Sequence, residues 1–184
     1  DGSTKLLKNS NFINLLSIKS NRGKGYAIRK GLQAATYNKV VIFDGDLELE
    51  ITEISKLMIL DQKIKTRYVA GFRFDSLHPL GFGFDLGNFI FTSFFNIIFK
   101  SHYKDILCCA KSFYLSDIKD IDLISDGFDI DAELFSILNL KFDYSHITQI
   151  KLNYSRRGIK EGKKLKVSDG WLILLRLLKM IKYY

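Results

Sequence analysis

Apolar and polar positions alternate between two spacings along the first half of the chain, a short run of strand character and then a helical period. Ile13 to Ile18 reads as a strand. Gly25 to Ala35 follows with helical spacing, Ala27, Ile28, Leu32 and Ala35 falling on one side. Lys39 to Phe43 carries four consecutive apolar residues, Val40-Val41-Ile42-Phe43, as a buried parallel strand does. Ile51 to Ile64 returns to the helical period, and Tyr68 to Phe72 is again a strand. Strand, helix, strand, helix, strand predicts an α/β domain with a mostly parallel central sheet flanked by helices.

The second half is less regular. The spacing predicts an aromatic-rich helix over Leu86 to Phe99, a shorter helix over Asp131 to Leu140, an extended stretch over Phe142 to Leu152, and a strongly apolar helix from Asp169 to Tyr184. We read 1–167 as one domain and 168–184 as an amphipathic terminal helix.

Composition narrows this picture. A chain of 184 residues suits one domain with a real core. At 47% hydrophobic and 26% charged residues, with a single proline, it has the make-up of a folded globular protein. Twenty-eight Lys and Arg against 20 Asp and Glu give a net charge of +8, which favours an anionic partner: a phosphorylated substrate, an acidic membrane face or nucleic acid. The aromatic residues lie in apolar stretches instead of alternating with basic ones, which argues against a base-stacking nucleic-acid groove. Cys108 and Cys109 are adjacent, so they neither staple distant segments nor have metal-ligand spacing; two buried thiols in a reducing compartment fit best. No secretory leader and no run of eighteen uncharged apolar residues is visible. The opening Asp1-Gly2-Ser3-Thr4 reads as the middle of a motif, which predicts a chain cut at its amino end.

The sharpest local feature is Val40-Val41-Ile42-Phe43-Asp44-Gly45-Asp46. An apolar strand delivers two carboxylates, one residue apart, at its carboxyl end, the edge where open parallel sheets bind ligands. A hard divalent cation shared with phosphate oxygens suits such a pair, and so does the simpler alternative of a strand running into an Asp-Gly turn. Upstream, Asn21-Arg22-Gly23-Lys24-Gly25 stands ahead of a helix, a plausible phosphate cradle although no Gly-Lys-Ser/Thr is present. Phosphatases of the haloacid dehalogenase type also place Asp-x-Asp after a strand, but typically follow it with Gly-Thr, where this chain has Leu47-Glu48.

Taken together, these stretches resemble family-two glycosyltransferases of the GT-A (Rossmann-like) fold, and most closely the polyprenol-phosphate sugar transferase branch to which dolichyl-phosphate mannosyltransferases belong. Asp1-Gly2-Ser3-Thr4 is similar to the tail of that family's Asp-Asp-Gly-Ser-Thr. Asn21-x-Gly23-Lys24-Gly25 with Ala27, Arg29 and Gly31 is similar to its Asn-x-Gly-Lys-Gly-x-Ala-x-Arg-x-Gly stretch. Asp44-Gly45-Asp46-Leu47 looks like its metal-binding Asp-x-Asp. Gly71-Phe72-Arg73 stands where Gly-Ser-Arg is usual, and Asp105, ahead of Lys111-Ser112-Phe113, resembles the Asp of the acceptor-side segment. Gly127-Phe128-Asp129-Ile130-Asp131-Ala132-Glu133 is similar to an acidic Gly-Phe-Glu-x-Asp-x-Glu patch, and Arg157 to Lys164 matches Arg-x-x-x-Glu-Gly-Lys-Lys. The family's first strand and its Pro-x-Tyr-Asn-Glu-like turn have no counterpart here.

The resemblance implies transfer of a sugar from a nucleoside-diphosphate sugar to a polyprenyl phosphate or a glycan acceptor, with Mg2+ or Mn2+ on Asp44 and Asp46. It further implies donor contacts from Asp1, Asn21, Lys24, Arg29, Lys163 and Lys164, an acceptor side at Arg73 and Asp105, and catalytic roles for Asp129, Asp131 and Arg157. A lipid phosphate acceptor is already anionic, whereas a sugar hydroxyl needs a general base, for which Asp129 or Asp131 is the candidate. In the last helix Arg176, Lys179 and Lys182 recur every third residue beside Trp171, Leu172, Leu174, Leu175, Leu178 and Ile181, the pattern of a helix lying in a membrane interface. Phe89, Phe91, Phe94, Phe95 and Phe99 offer a second contact, or simply core. A peripheral protein at the cytoplasmic face of a membrane is the expected location.

Overall fold

The computed structural model describes residues 3–7, 13–61, 63, 65–74, 84–155 and 167–182. A short helix, α1 (Ser3–Leu7), precedes α2 (Lys24–Ala34) and strand β1 (Lys39–Ile42). A 3-10 turn at Ile51–Glu53 runs into α3 (Ile54–Leu57), followed by β2 (Tyr68–Phe72), α4 (Phe84–Phe99) and β3 (Lys111–Tyr114). The chain closes with α5 (Ile130–Lys141), β4 (Ile147–Lys151) and α6 (Val167–Ile181).

The four strands make one sheet in the order β1-β3-β2-β4. β3 runs antiparallel to both its neighbours, with Ile42 opposite Lys111 and Ala70 opposite Lys111 on the two sides. β2 and β4 are parallel, Tyr68 pairing with Ile147. β1, β2 and β4 therefore share a direction, as the βαβ reading requires, but β1 and β2 do not touch: the reversed β3 lies between them. The sheet is mixed instead of mostly parallel.

Strand alternation divides the core. Ile42, Tyr68, Ala70, Phe113 and Ile147 face a large cluster with Phe95, Phe99, Ile130, Leu134, Phe135, Leu138, Ile173 and Leu177, joined by Ile28 and Leu32, so α2, α4, α5 and α6 cover that side. Val69, Ala110, Tyr114 and Leu152 face the other, with Leu49, Leu57 and Leu60 from the segment after β1. Lys111 shares the first face with Phe113, which points its ammonium at α5.

Several expected elements differ. Ile13 to Ile18 joins no ladder, and Ile13, Leu15, Leu16 and Ile18 are exposed. The helix expected over Ile51 to Ile64 stops at Leu57; the chain then turns, with a bridge between Asp61 and Thr66. Ala27 is exposed, leaving Ile28 and Leu32 to seat α2. Phe91, Phe94, Phe95 and Phe99 of α4 pack into the core, Phe95 and Phe99 buried, and Leu86, Ile90 and Ile97 of that helix are exposed. Among the described residues no helix is long and apolar enough to cross a membrane.

Candidate functional site

The site forms where β1 ends and α2 begins. Asn21 accepts a hydrogen bond from Gly23 N–H at 3.0 Å and fixes the turn into the helix. Gly23 has φ 94°, a left-handed conformation that costs glycine little, and a Cβ there would sit 2.1 Å from the carbonyl oxygen of Asp126. A Cβ on Gly25 would meet the Ser125 carbonyl oxygen at 2.2 Å. The amides of Gly25 and Tyr26 donate to Asp126 O, at 2.8 and 3.3 Å. The stretch expected as a phosphate cradle is thus a backbone joint, its Gly25 and Tyr26 amides taken up by a protein carbonyl. Arg29 tightens the same joint, donating to Leu123 O at 2.9 Å and pairing with Asp126.

That joint sets the position of Lys24. Its Nζ lies 2.9 Å from Asp44 Oδ2 and 2.9 Å from Asp131 Oδ2. Lys111 Nζ reaches the other oxygen of Asp131 at 2.6 Å. Asp44, Lys24, Asp131 and Lys111 form a row of alternating charge that runs inward, their side chains 35%, 14%, 5% and 0% exposed. Burial works to raise the Asp131 pKa, but Lys111 and Lys24 outweigh it and hold the carboxyl below its ordinary value. For Lys24 burial works downward, and Asp131 and then Asp44 outweigh it, so the ammonium stays charged beyond its ordinary range. A buried lysine such as Lys111 needs this partner, because an uncompensated interior charge is strongly destabilising.

Each carboxylate of the acidic patch has its own work. Asp129 accepts from Arg176 Nε and Nη2 on α6, at 3.2 and 3.1 Å. Glu133 accepts from the amides of Ile124 and Ser125, at 3.1 and 2.9 Å, and so shapes the loop that docks α2. Asp131 anchors Lys24. Arg176, expected on an outer cationic side of the last helix with Lys179 and Lys182, is instead turned inward, while Trp171, Leu172, Leu175 and Leu178 are exposed beside Lys179 and Lys182.

Asp46 accepts from Glu48 N–H at 3.1 Å, and Leu47 takes φ 66°, uncommon for leucine, so the carboxylate pair sits in a tight turn. Added atoms at Gly45 would meet open space. Among the described residues there is no group of three or more His, Cys, Asp or Glu that could hold a metal. Two carboxylates at a strand end, one of them a third exposed, fit a cation that takes its remaining ligands from phosphates and water, and do not fit an all-protein cage. Cys109, expected only as one of two buried thiols, is half-buried and a neighbour of this site. Continuing the antiparallel register beyond Ile42 and Lys111 sets it opposite Asp44, and its thiol is pushed well up by a hydrogen bond with Cys108 and by burial.

On the far side of β2, Gly71 lets the strand end run close to Ala110 and Leu152, where a Cβ would be 2.4 Å from the Leu152 side chain. This brings Arg73 to Asp105 as a two-pronged pair, Nε to Oδ2 at 2.8 Å and Nη2 to Oδ1 at 3.1 Å. The two expected acceptor-side residues are therefore partners, with Asp105 fully buried. Tyr154, beside Arg73, has its hydroxyl pushed up to about 12 by burial in the first place, with Glu48 adding to the rise. Leu49 bridges to Tyr154, and Ser155 N–H donates to Glu48 O at 2.8 Å, so the segment after β4 leaves from beside the Asp44–Asp46 turn. Asp1, Arg157, Lys163 and Lys164 lie outside the described residues.

The pattern of glycosyl transferase family 2 matches residues 1–115, more than half of the chain. The chain belongs to glycosyl transferase family 2. Glycosyltransferase AglJ of Haloferax volcanii is 32% identical over 171 residues, covering 90% of this family 2 chain and 55% of AglJ. Among solved structures, glucosyl-3-phosphoglycerate synthase from Mycobacterium tuberculosis with phosphoglyceric acid superimposes with a TM-score of 0.68 at 13% identity, covering 91% of this chain and 57% of that one. The same synthase with Mn2+, UDP-glucose and phosphoglyceric acid gives 0.66 at 12% identity, with the same coverage. Mannosyl-3-phosphoglycerate synthase from Rubrobacter xylanophilus gives 0.59 at 14%, covering 86% and 50%. At these identities the likeness is one of fold, and the fold is GT-A. The family 2 chain spans about half the length of the relatives it matches.

Proposed function

We propose that this family 2 chain carries the donor-handling part of a glycosyltransferase that moves a sugar from a nucleoside-diphosphate sugar to a polyprenyl phosphate at the cytoplasmic face of a membrane. The observation that carries the reading is the meeting of Asp44, Lys24 and Asp131, drawn from three separate segments, at the carboxyl end of β1. When bound there, Mg2+ or Mn2+ on Asp44 and Asp46 would supply Lewis acidity to the departing diphosphate. Lys24 offers positive charge at the same place, tethered there by Asp131, for the charge that develops on the leaving group. Relatives in the fold are described with Mn2+ and UDP-glucose, which supports a nucleotide sugar as donor.

A phosphate acceptor is supported by the state of the two candidate bases. Asp129 is tied to Arg176, and Asp131 is held ionised between two ammonium groups, so neither is suited to take a proton from a hydroxyl. An acceptor that is already anionic needs no such proton transfer. A membrane-borne acceptor is supported by the outer face of α6, where exposed Trp171, Leu172, Leu175 and Leu178 stand beside Lys179 and Lys182. A second reading, a soluble phosphorylated acceptor, draws support from the phosphoglycerate bound in the fold relative.

The deciding experiment incubates the full-length protein and radiolabelled nucleotide sugars with polyprenyl phosphate, with phosphoglycerate and with a glycan. Label partitioning into the organic phase, abolished by Asp44→Asn, is expected. Label confined to the aqueous phase overturns the lipid acceptor, and transfer only to phosphoglycerate establishes the second reading in its place.

A further inference from the structure

Lys24 makes two bonds of equal length to carboxylates in very different surroundings. Asp131 cannot follow it outward: its second oxygen is held by Lys111, whose side chain is wholly buried. Asp44 is a third exposed and stands at the end of a strand, beside a glycine with open space around it. The inner bond is therefore the permanent one and the outer bond the exchangeable one. An ammonium group 2.9 Å from Asp44 Oδ2 also takes up one of the approaches to that oxygen.

We propose that Lys24 is a built-in counter-ion that competes with the divalent cation for Asp44, and that the Asp131–Lys111 pair is the anchor from which it swings to the donor's diphosphate. This rests on the reading of Asp44 as a cation ligand in a nucleotide-sugar site. Two consequences follow from electrostatics alone. A cation arriving without diphosphate is repelled by a positive charge a few ångströms away and must displace it, so binding of the metal alone is weak. A diphosphate gives the displaced ammonium a new partner, so metal and diphosphate favour each other, and each raises affinity for the other by the same factor.

The test measures Mn2+ alone by the electron paramagnetic resonance signal of the free ion, and magnesium pyrophosphate by calorimetry, on the full-length protein. Lys24→Met keeps the length and removes the charge; Lys24→Gln serves if the first fails to fold. The expected result has opposite signs: Mn2+ alone binds at least about tenfold tighter, and pyrophosphate at least about tenfold weaker. A merely structural role lowers both affinities together, and that outcome overturns the inference. If neither variant tightens Mn2+ while Asp44→Asn abolishes its binding, the inference fails and the cation reading stands. If Asp44→Asn leaves Mn2+ binding unchanged, both fall.

Discussion

Replacing Asp131 by asparagine tests the charged row directly. The substitution keeps the shape of the side chain but removes the anion between Lys24 and Lys111. Lys24 retains Asp44, whereas Lys111, wholly buried, keeps no carboxylate within bonding distance among the described residues. Removing one partner of a buried pair costs about 3–5 kcal/mol. With an unfolding entropy of about 2.1 cal/mol/K per residue, this chain length converts that loss into a melting temperature about 8–13 °C lower. Calorimetry at neutral pH measures it. The double substitution Asp131→Asn with Lys111→Met removes the stranded charge and is expected to recover part of the loss, since neutral replacement of a buried pair is often tolerated. An Asp131→Asn protein melting within about 3 °C of the parent, or a double variant that loses the full sum of both single effects, refutes the reasoning.

The same row sets a pH window. Asp131 has a lowered pKa, so its stabilisation is present in full above the unfolded value near 3.8 and is lost as pH falls through the lower folded value. Lys24 has a raised pKa, so its share is present below about 10.5 and is lost only as pH rises through a higher folded value. Melting curves of parent and Asp131→Asn are expected to differ by a constant amount across neutral pH and to converge in strong acid. Arg176→Leu strips Asp129 of its α6 partner and is expected to cost about 1–3 kcal/mol and to make α6 the first site of limited proteolysis. Gly25→Ala forces the Ser125 carbonyl away from α2 and is expected to lower stability by about 2–4 kcal/mol, and with it donor affinity, measured by denaturant unfolding and nucleotide titration. Cys109, with its thiol pushed well up by Cys108 and by burial, is expected to resist iodoacetamide at pH 7 and to react faster as pH rises, followed by mass spectrometry with Cys109→Ser as control.

Much of the scaffold is legible in the chain because its longer elements carry their periodicity openly. Tyr68–Phe72 is a strand over the residues expected, and the helices at 24–34, 84–99 and 130–141 match to within two residues at each end. Ile13 to Ile18 shows the limit of pattern: with no neighbouring strand among the described residues, strand character makes no ladder. β3 shows the opposite. Lys111-Ser112-Phe113-Tyr114 has two polar residues in four and no clear alternation of its own, yet it becomes a strand because both its edges are paired. At the site, sequence selected Lys24, Asp44, Asp131, Arg73 and Asp105, and the structure joins them in two clusters. It did not give the partners. Lys111 and Arg176 became visible only with tertiary contact; the one available hint was a lysine set in an otherwise apolar stretch.

The order in which these groups occur along the chain governs when the molecule can complete itself. The bond from Lys24 to Asp131 spans 107 residues, and the β2–β4 pairing needs Lys151. On a ribosome, Lys24 and Asp44 emerge before Lys111 and can meet, but Lys111 has no counter-charge until the start of α5 has left the exit tunnel. The nascent chain must therefore keep β1 and β2 apart, with room for the later strand, until Lys111–Tyr114 has emerged. Such distant pairing makes for slow folding and a long exposure of unfinished sheet edges, so this is a protein whose yield should respond to chaperones and to growth temperature.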